Sequence, residues 1–148
     1  MRAGQKFGVC FLLFFCLITP ALADSARIAQ VKTVVGDAFI TRNGERHPAK
    51  PGDALYQSDV VTTGSSSAIG FTFIDNTVFS EGPDSELALE QFHFDANAAK
   101  GDLLADMRKG SLTVVSGEIT HTSPEAMKIK TPTSVLGVRG TTFAVRVY

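Results

Sequence analysis

From Ile28 onward, turn-forming residues recur about every eight to twelve positions, and this spacing constrains the fold more than any other feature. Gly36-Asp37, Asn43-Gly44, Pro51-Gly52-Asp53, Gln57-Ser58-Asp59, Asp75-Asn76 and Gly82-Pro83-Asp84-Ser85 each interrupt the chain. The apolar runs between them are short, and none sustains the 3.6-residue period of an amphipathic helix. Several alternate instead. Ile69, Phe71 and Phe73 point one way and Ala68, Gly70 and Thr72 the other, with the small residues pointing to close approach of another backbone. Asn43-Gly44 suits a turn with two positive φ angles, so Phe39 to Pro48 reads as a hairpin. The apolar phase slips between Leu89 and Phe92, as at a bulge. Leu103–Arg108, Lys109-Gly110 and Leu112–Val115 read as a second hairpin, and Ser116–Glu125 as a long polar, mobile loop. Met127 and Ile129 face inward. The expectation is one all-β domain of about ten to twelve short strands, a single sandwich or a rolled, β-helix or jelly-roll-like form.

The N-terminus carries a different pattern. Arg2 and Lys6 precede an apolar run of twelve residues from Phe7 to Ile18, and Ala21-Leu22-Ala23 places small residues where a signal peptidase reads. Twelve residues fall short of the about 20 that span a bilayer. Residues 1–23 are therefore expected to be a signal peptide cut after Ala23. Residues 24–148 then form a periplasmic or secreted β domain with no transmembrane anchor after processing. Cys10 and Cys16 both lie in the leader and follow Val9 and Phe15, which does not fit a lipoprotein attachment signal. Without them the domain has no disulfide and must be stabilised by its core.

Losing Arg2 and Lys6 leaves twelve basic against fifteen acidic residues, a net charge of −3. The remaining cations are scattered, which argues against a nucleic-acid partner.

The chain ends on Thr131-Pro132-Thr133-Ser134-Val135-Leu136-Gly137-Val138-Arg139-Gly140-Thr141-Thr142-Phe143-Ala144-Val145. This is a Thr-Pro turn, a loop with glycines either side of Val138-Arg139, and a strand with Phe143, Val145 and Val147 on one face. The segment resembles the closing signature of FecR-type periplasmic domains. Further tags fall in the same order: Gly36-Asp37-Ala38, Pro51-Gly52-Asp53, Asp59-Val60-Val61-Thr62-Thr63-Gly64, Ile74-Asp75-Asn76-Thr77 and Gly110-Ser111-Leu112. The resemblance runs over about residues 28–147 and implies an all-β periplasmic module. In iron-transport regulators that module relays the state of an outer-membrane receptor to a sigma factor. The sequence here departs from such regulators, with no cytoplasmic anti-sigma segment before the leader, no transmembrane helix and no receptor-contacting domain after residue 148, so the relay itself does not carry over.

The resemblance directs attention to Thr131, Pro132, Gly137, Arg139, Gly140 and Thr141, as residues of the fold signature or of a contact surface. Two roles are open to Arg139. Its planar fork can grip a partner's carboxylate or backbone. Alternatively it ties the loop to carbonyls or an acid of its own domain, the role that carries more weight, with the glycines chosen for φ and closeness.

Other candidates are weaker. His47, His93 and His121 lie on separate segments, away from zinc-ligand spacings. Asp75, Glu81, Asp84 and Glu86 cluster around two turns but match no calcium-loop spacing. Ser65-Ser66-Ser67 lacks a nucleophile elbow, and the glycines form no phosphate-cradling loop. No catalytic residues, cofactor or metal are expected, and the chain reads as a non-enzyme. The leading expectation is a protein-binding or sensing module of envelope signalling with an envelope protein partner. The alternatives are a structural or surface-associated β-module with self-association, or a small-ligand, carbohydrate-binding domain. The last is weakened by the lack of Trp and by having only Tyr56 and Tyr148 to stack on a sugar.

Overall fold

The computed structural model describes residues 26–140 and 142–148. The leader over residues 1–23 and Thr141 lie outside them. The first half of the chain forms β1 (Ala29–Val35), β2 (Ala38–Arg42), β3 (Glu45–Pro48), β4 (Ala54–Leu55), β5 (Val60–Thr63) and β6 (Ala68–Phe73). Then come β7 (Val78–Glu81), β8 (Glu86–Asp95), β9 (Lys100–Val115), the one-turn helix α1 (Glu118–Thr122), β10 (Met127–Lys130), β11 (Val135–Gly137) and β12 (Thr142–Val147).

These strands make one curled sheet in the order β3-β2-β5-β8-β9-β7-β6-β1-β4, with β10 and β12 also on β9 and β11 on β10. Of the two expected architectures the chain adopts the rolled one. β9 is the spine. Its first half pairs with β8 and, in parallel, with β10; its second half pairs with β7 and β12. The sheet curls about it, so both halves bury their inner faces in one continuous core. Ile40, Val61, Leu87, Leu103, Met107 and Met127 come from one half, and Val31, Ile69, Phe71, Phe79, Leu112 and Val145 from the other. The Phe73 and Phe92 rings stack across this core at 5.2 Å, joining strands that are not neighbours in the sheet.

The alternation read from sequence holds. Ile69, Phe71 and Phe73 are buried, as are Met127 and Ile129. The hairpin over 39–48 forms with φ of 51° at Asn43 and 82° at Gly44, and the bulge falls between Leu89 and Gln91. Gly70 does face a close neighbour, but it is the Thr33 side chain of β1 and not a backbone.

Two expectations fail. Lys109-Gly110 is no hairpin: β9 runs through it as one strand of sixteen residues, with Gly110 at a φ of 89°. The strand continues because its two halves find different neighbours, so no reversal is needed for either to be paired. Ser116–Glu125 is not a free loop either. It holds α1, whose Ile119 is fully buried. Asp75 fixes it: the carboxylate accepts from Thr77 N, Thr77 Oγ1 and Ile119 N, while the Asp75 carbonyl accepts from Glu118 N. Thr77 Oγ1 accepts from Gly117 N in turn.

A second buried acid plays the same part at the other side of the fold. Asp59, fully buried, takes a two-pronged contact from Arg42, Nε to Oδ1 at 2.8 Å and Nη2 to Oδ2 at 2.7 Å, and also accepts from Tyr56 N. The Arg42 guanidinium lies 4.3 Å from the Tyr56 ring centre and donates to the Ala54 carbonyl. Strands β2, β4 and β5 are tied at this point.

Candidate functional site

The closing signature builds a short hairpin and a loop on the outside of the sheet. Thr131 and Ser134 clasp the turn: Thr131 N donates to the Ser134 carbonyl at 2.8 Å, and Ser134 N to Thr131 Oγ1 at 3.1 Å. Pro132 sits inside this turn, where its fixed φ suits the reversal and no amide is missed. The chain then returns as β11, in register with β10 from Lys130↔Val135 to Lys128↔Gly137. β10 has β9 on its other side, whereas β11 has no second strand partner among the described residues. Its N–H and C=O groups on that side form an open sheet edge. Val135 is 60% exposed and Leu136 38%, so the edge also carries apolar surface.

After β11 the chain dips once. Val138 is buried and its N–H donates to the Met127 carbonyl. Arg139 then turns outward. It is exposed, and among the described residues it has no hydrogen-bond or ion-pair partner. Val138 anchors the loop, and that leaves the next side chain on the opposite, solvent side, with no internal acid or carbonyl holding it among the described residues. Arg139 forms one rim of a cleft of about 480 Å³ whose other walls are Ser123, Pro124, Glu125 and Ala126. Downstream, Gly140 has a φ of 137°, which favours glycine, and its carbonyl accepts from Ser116 Oγ. Gly137 has neither a positive φ nor any atom within 4 Å of the place a Cβ would occupy. Closeness therefore explains neither flanking glycine; at 137 the result is a bare strip of backbone at the end of the open edge.

The signature residues Thr131, Pro132, Gly137, Arg139 and Gly140 are thus brought to one surface. The other candidates disperse. His47 lies on β3, His93 points outward from β8, and His121 is on α1. The four acids go four ways: Asp75 anchors α1, Glu81 enters the core, Asp84 holds a turn at a φ of 51°, and Glu86 pairs with Arg108 at 2.8 Å. Glu81 is the residue that sequence reasoning misplaced. Only 1% of it is exposed, and neither carboxylate oxygen has a partner among the described residues. Burial pushes its pKa well above the ordinary 4.5. Period-two phasing from Phe79 puts residue 81 on the core face, so the signal was present.

No helix among the described residues is long and apolar enough to cross a membrane. The sequence model of a family described as FecR protein matches residues 59–148, from the buried Asp59 to the C-terminus. No curated protein sequence and no solved structure gives a match.

Proposed function

Because the chain belongs to the FecR family, whose matched segment covers more than half of its length, we propose that it is a periplasmic module of envelope signalling that works by protein contact and not by catalysis. Its contact surface on this reading is the β11 edge together with Arg139. The observation that carries the reading is the outward display of the signature. A motif that served the fold alone would bury its arginine on an internal acid, as Asp59 does with Arg42, yet Arg139 is exposed beside an open edge.

The chemistry of this surface selects the partner. An extended segment of an envelope protein adds to the edge through main-chain hydrogen bonds, with its side chains over Val135 and Leu136. A carboxylate on that segment takes the Arg139 fork. For the localisation, the leader is removed after Ala23, which delivers a cysteine-free domain to an oxidising compartment where no thiol remains to be mispaired.

A photo-crosslinking residue at position 136, activated in intact cells, tests the proposal. One envelope protein of distinct mass should be captured, and Arg139→Glu should abolish the adduct without changing the melting temperature. Capture that survives Arg139→Glu refutes this surface. An adduct of twice the chain's own mass assigns the edge to a second copy, the structural reading, which size exclusion would then show as a dimer.

A further inference from the structure

Away from the signature, the outer face of the first sheet half carries a groove of about 440 Å³ that has no part in the proposed protein contact. Cross-strand pairing lays its floor. Arg46, Thr41 and Val60 fall in one row across β3, β2 and β5, and Thr62, Glu86 and Lys109 in the next across β5, β8 and β9. Arg108 completes the wall next to Lys109.

Three cations therefore meet on a chain whose formal net charge is −1. Arg46 forms no ion pair among the described residues; its guanidinium is braced 3.8 Å over the Phe39 ring. Lys109 has no ion pair among them either. Arg108 is held by two acids, Nη1 on Glu86 at 2.8 Å and Nε on Asp106 at 3.6 Å. A guanidinium has five N–H donors, so its second terminal nitrogen stays available. On the floor Thr62 Oγ1 lies beneath the groove surface, screened from water and without a hydrogen-bond partner among the described residues, so it offers nothing to a molecule in the groove. Thr63 and Ser85, the hydroxyls beside it, are by contrast satisfied within the fold.

We propose that this groove binds a phosphate ester. A carboxylate presents two oxygens in one plane and is satisfied by a single fork. The cations lining this groove, Arg46 on β3 and Arg108 and Lys109 on β9, offer donors from three side chains, more than one planar fork supplies, which suits an oxyanion with three or more acceptor oxygens. The space exceeds that of a bare anion, so an organic body, a small polyol or a lipid headgroup, accompanies the phosphate.

Titration of the purified protein with glycerol 3-phosphate at low ionic strength, followed by amide NMR, tests this. Saturable shifts should centre on Thr62, Glu86 and Lys109. Arg46→Ala and Lys109→Ala should each weaken binding about tenfold, the loss expected for one charge-assisted hydrogen bond. Shifts that are absent, that persist undiminished in the arginine and lysine variants, or that centre on Arg139 overturn the proposal, unless a vesicle arm supplies the ester. In that arm, pelleting with phosphatidylglycerol vesicles that Lys109→Ala abolishes names a lipid headgroup as the source. Pelleting that Lys109→Ala leaves intact, with no glycerol 3-phosphate shifts, overturns it.

Discussion

Glu81 offers a direct measurement of what the core tolerates. It lies on β7 between Ile69 of β6 and Leu112 of β9, both buried, with no partner for either oxygen among the described residues. Burial therefore raises its folded-state pKa well above the 4.5 expected in the unfolded chain. The folded protein holds a proton there that the unfolded chain releases, so stability is full below about pH 4.5 and falls as pH rises toward the folded pKa. Within that window the loss is about 1.4 kcal/mol per pH unit. Even as a neutral acid, the unpaired group costs about 1–3 kcal/mol. Glu81→Met, apolar and of similar volume, removes both penalties. Its advantage over the wild type should be about 1–3 kcal/mol near pH 4.5 and should widen as pH rises from there toward the folded-state pKa of Glu81. For a domain of this size each kcal/mol moves the melting temperature by about 3–5 °C. Urea denaturation of both proteins from pH 4.5 to 7.5 gives the comparison, because titrations common to both cancel in the difference. Parallel stability curves, or a Glu81→Met protein less stable than wild type at pH 7, would refute the reasoning.

The remaining predictions concern anchors and processing. Asp59→Ala strands the Arg42 guanidinium and removes the bond to Tyr56 N; because Arg42 is a third exposed, the expected cost is about 2–4 kcal/mol, read from denaturant midpoints. Asp75→Ala frees the backbone of α1, and hydrogen exchange should accelerate at Gly117 and Ile119 while the amides of β6 and β7 keep their protection. Intact-mass analysis of the protein from the periplasmic fraction should give the mass of residues 24–148, fixing the cut after Ala23.

How far the sequence discloses this fold depends on the range of the interaction involved. Alternation and turn chemistry are local, so the strands around Phe71, the Asn43-Gly44 hairpin and the bulge after Leu89 are legible from neighbouring residues alone. Lys109-Gly110 misleads because a dipeptide that suits a turn also suits a strand that changes partners, and the partners are encoded elsewhere. The helix after Ser116 escapes notice because one turn carries almost no period. What stabilises it is Asp75, more than forty residues earlier. Arg42 and Asp59 find each other across seventeen residues with no pattern to announce the pairing.

The same distinction separates the family's tags from one another. Asp59 and Asp75 are buried acids whose partners are inside the domain, so they belong to the fold. Thr131 to Gly140 pass over the surface, attached by the Thr131 turn, Val138 and the Gly140 carbonyl, and those attachments leave Val135, Leu136 and Arg139 free to face solvent. A recurring tag does not reveal from its letters which of these jobs it has. Satisfaction of its polar groups separates them: Arg42 holds the buried Asp59 and ties strands together, whereas Arg139 stands at the surface beside an open strand edge, and on that difference the proposed contact rests.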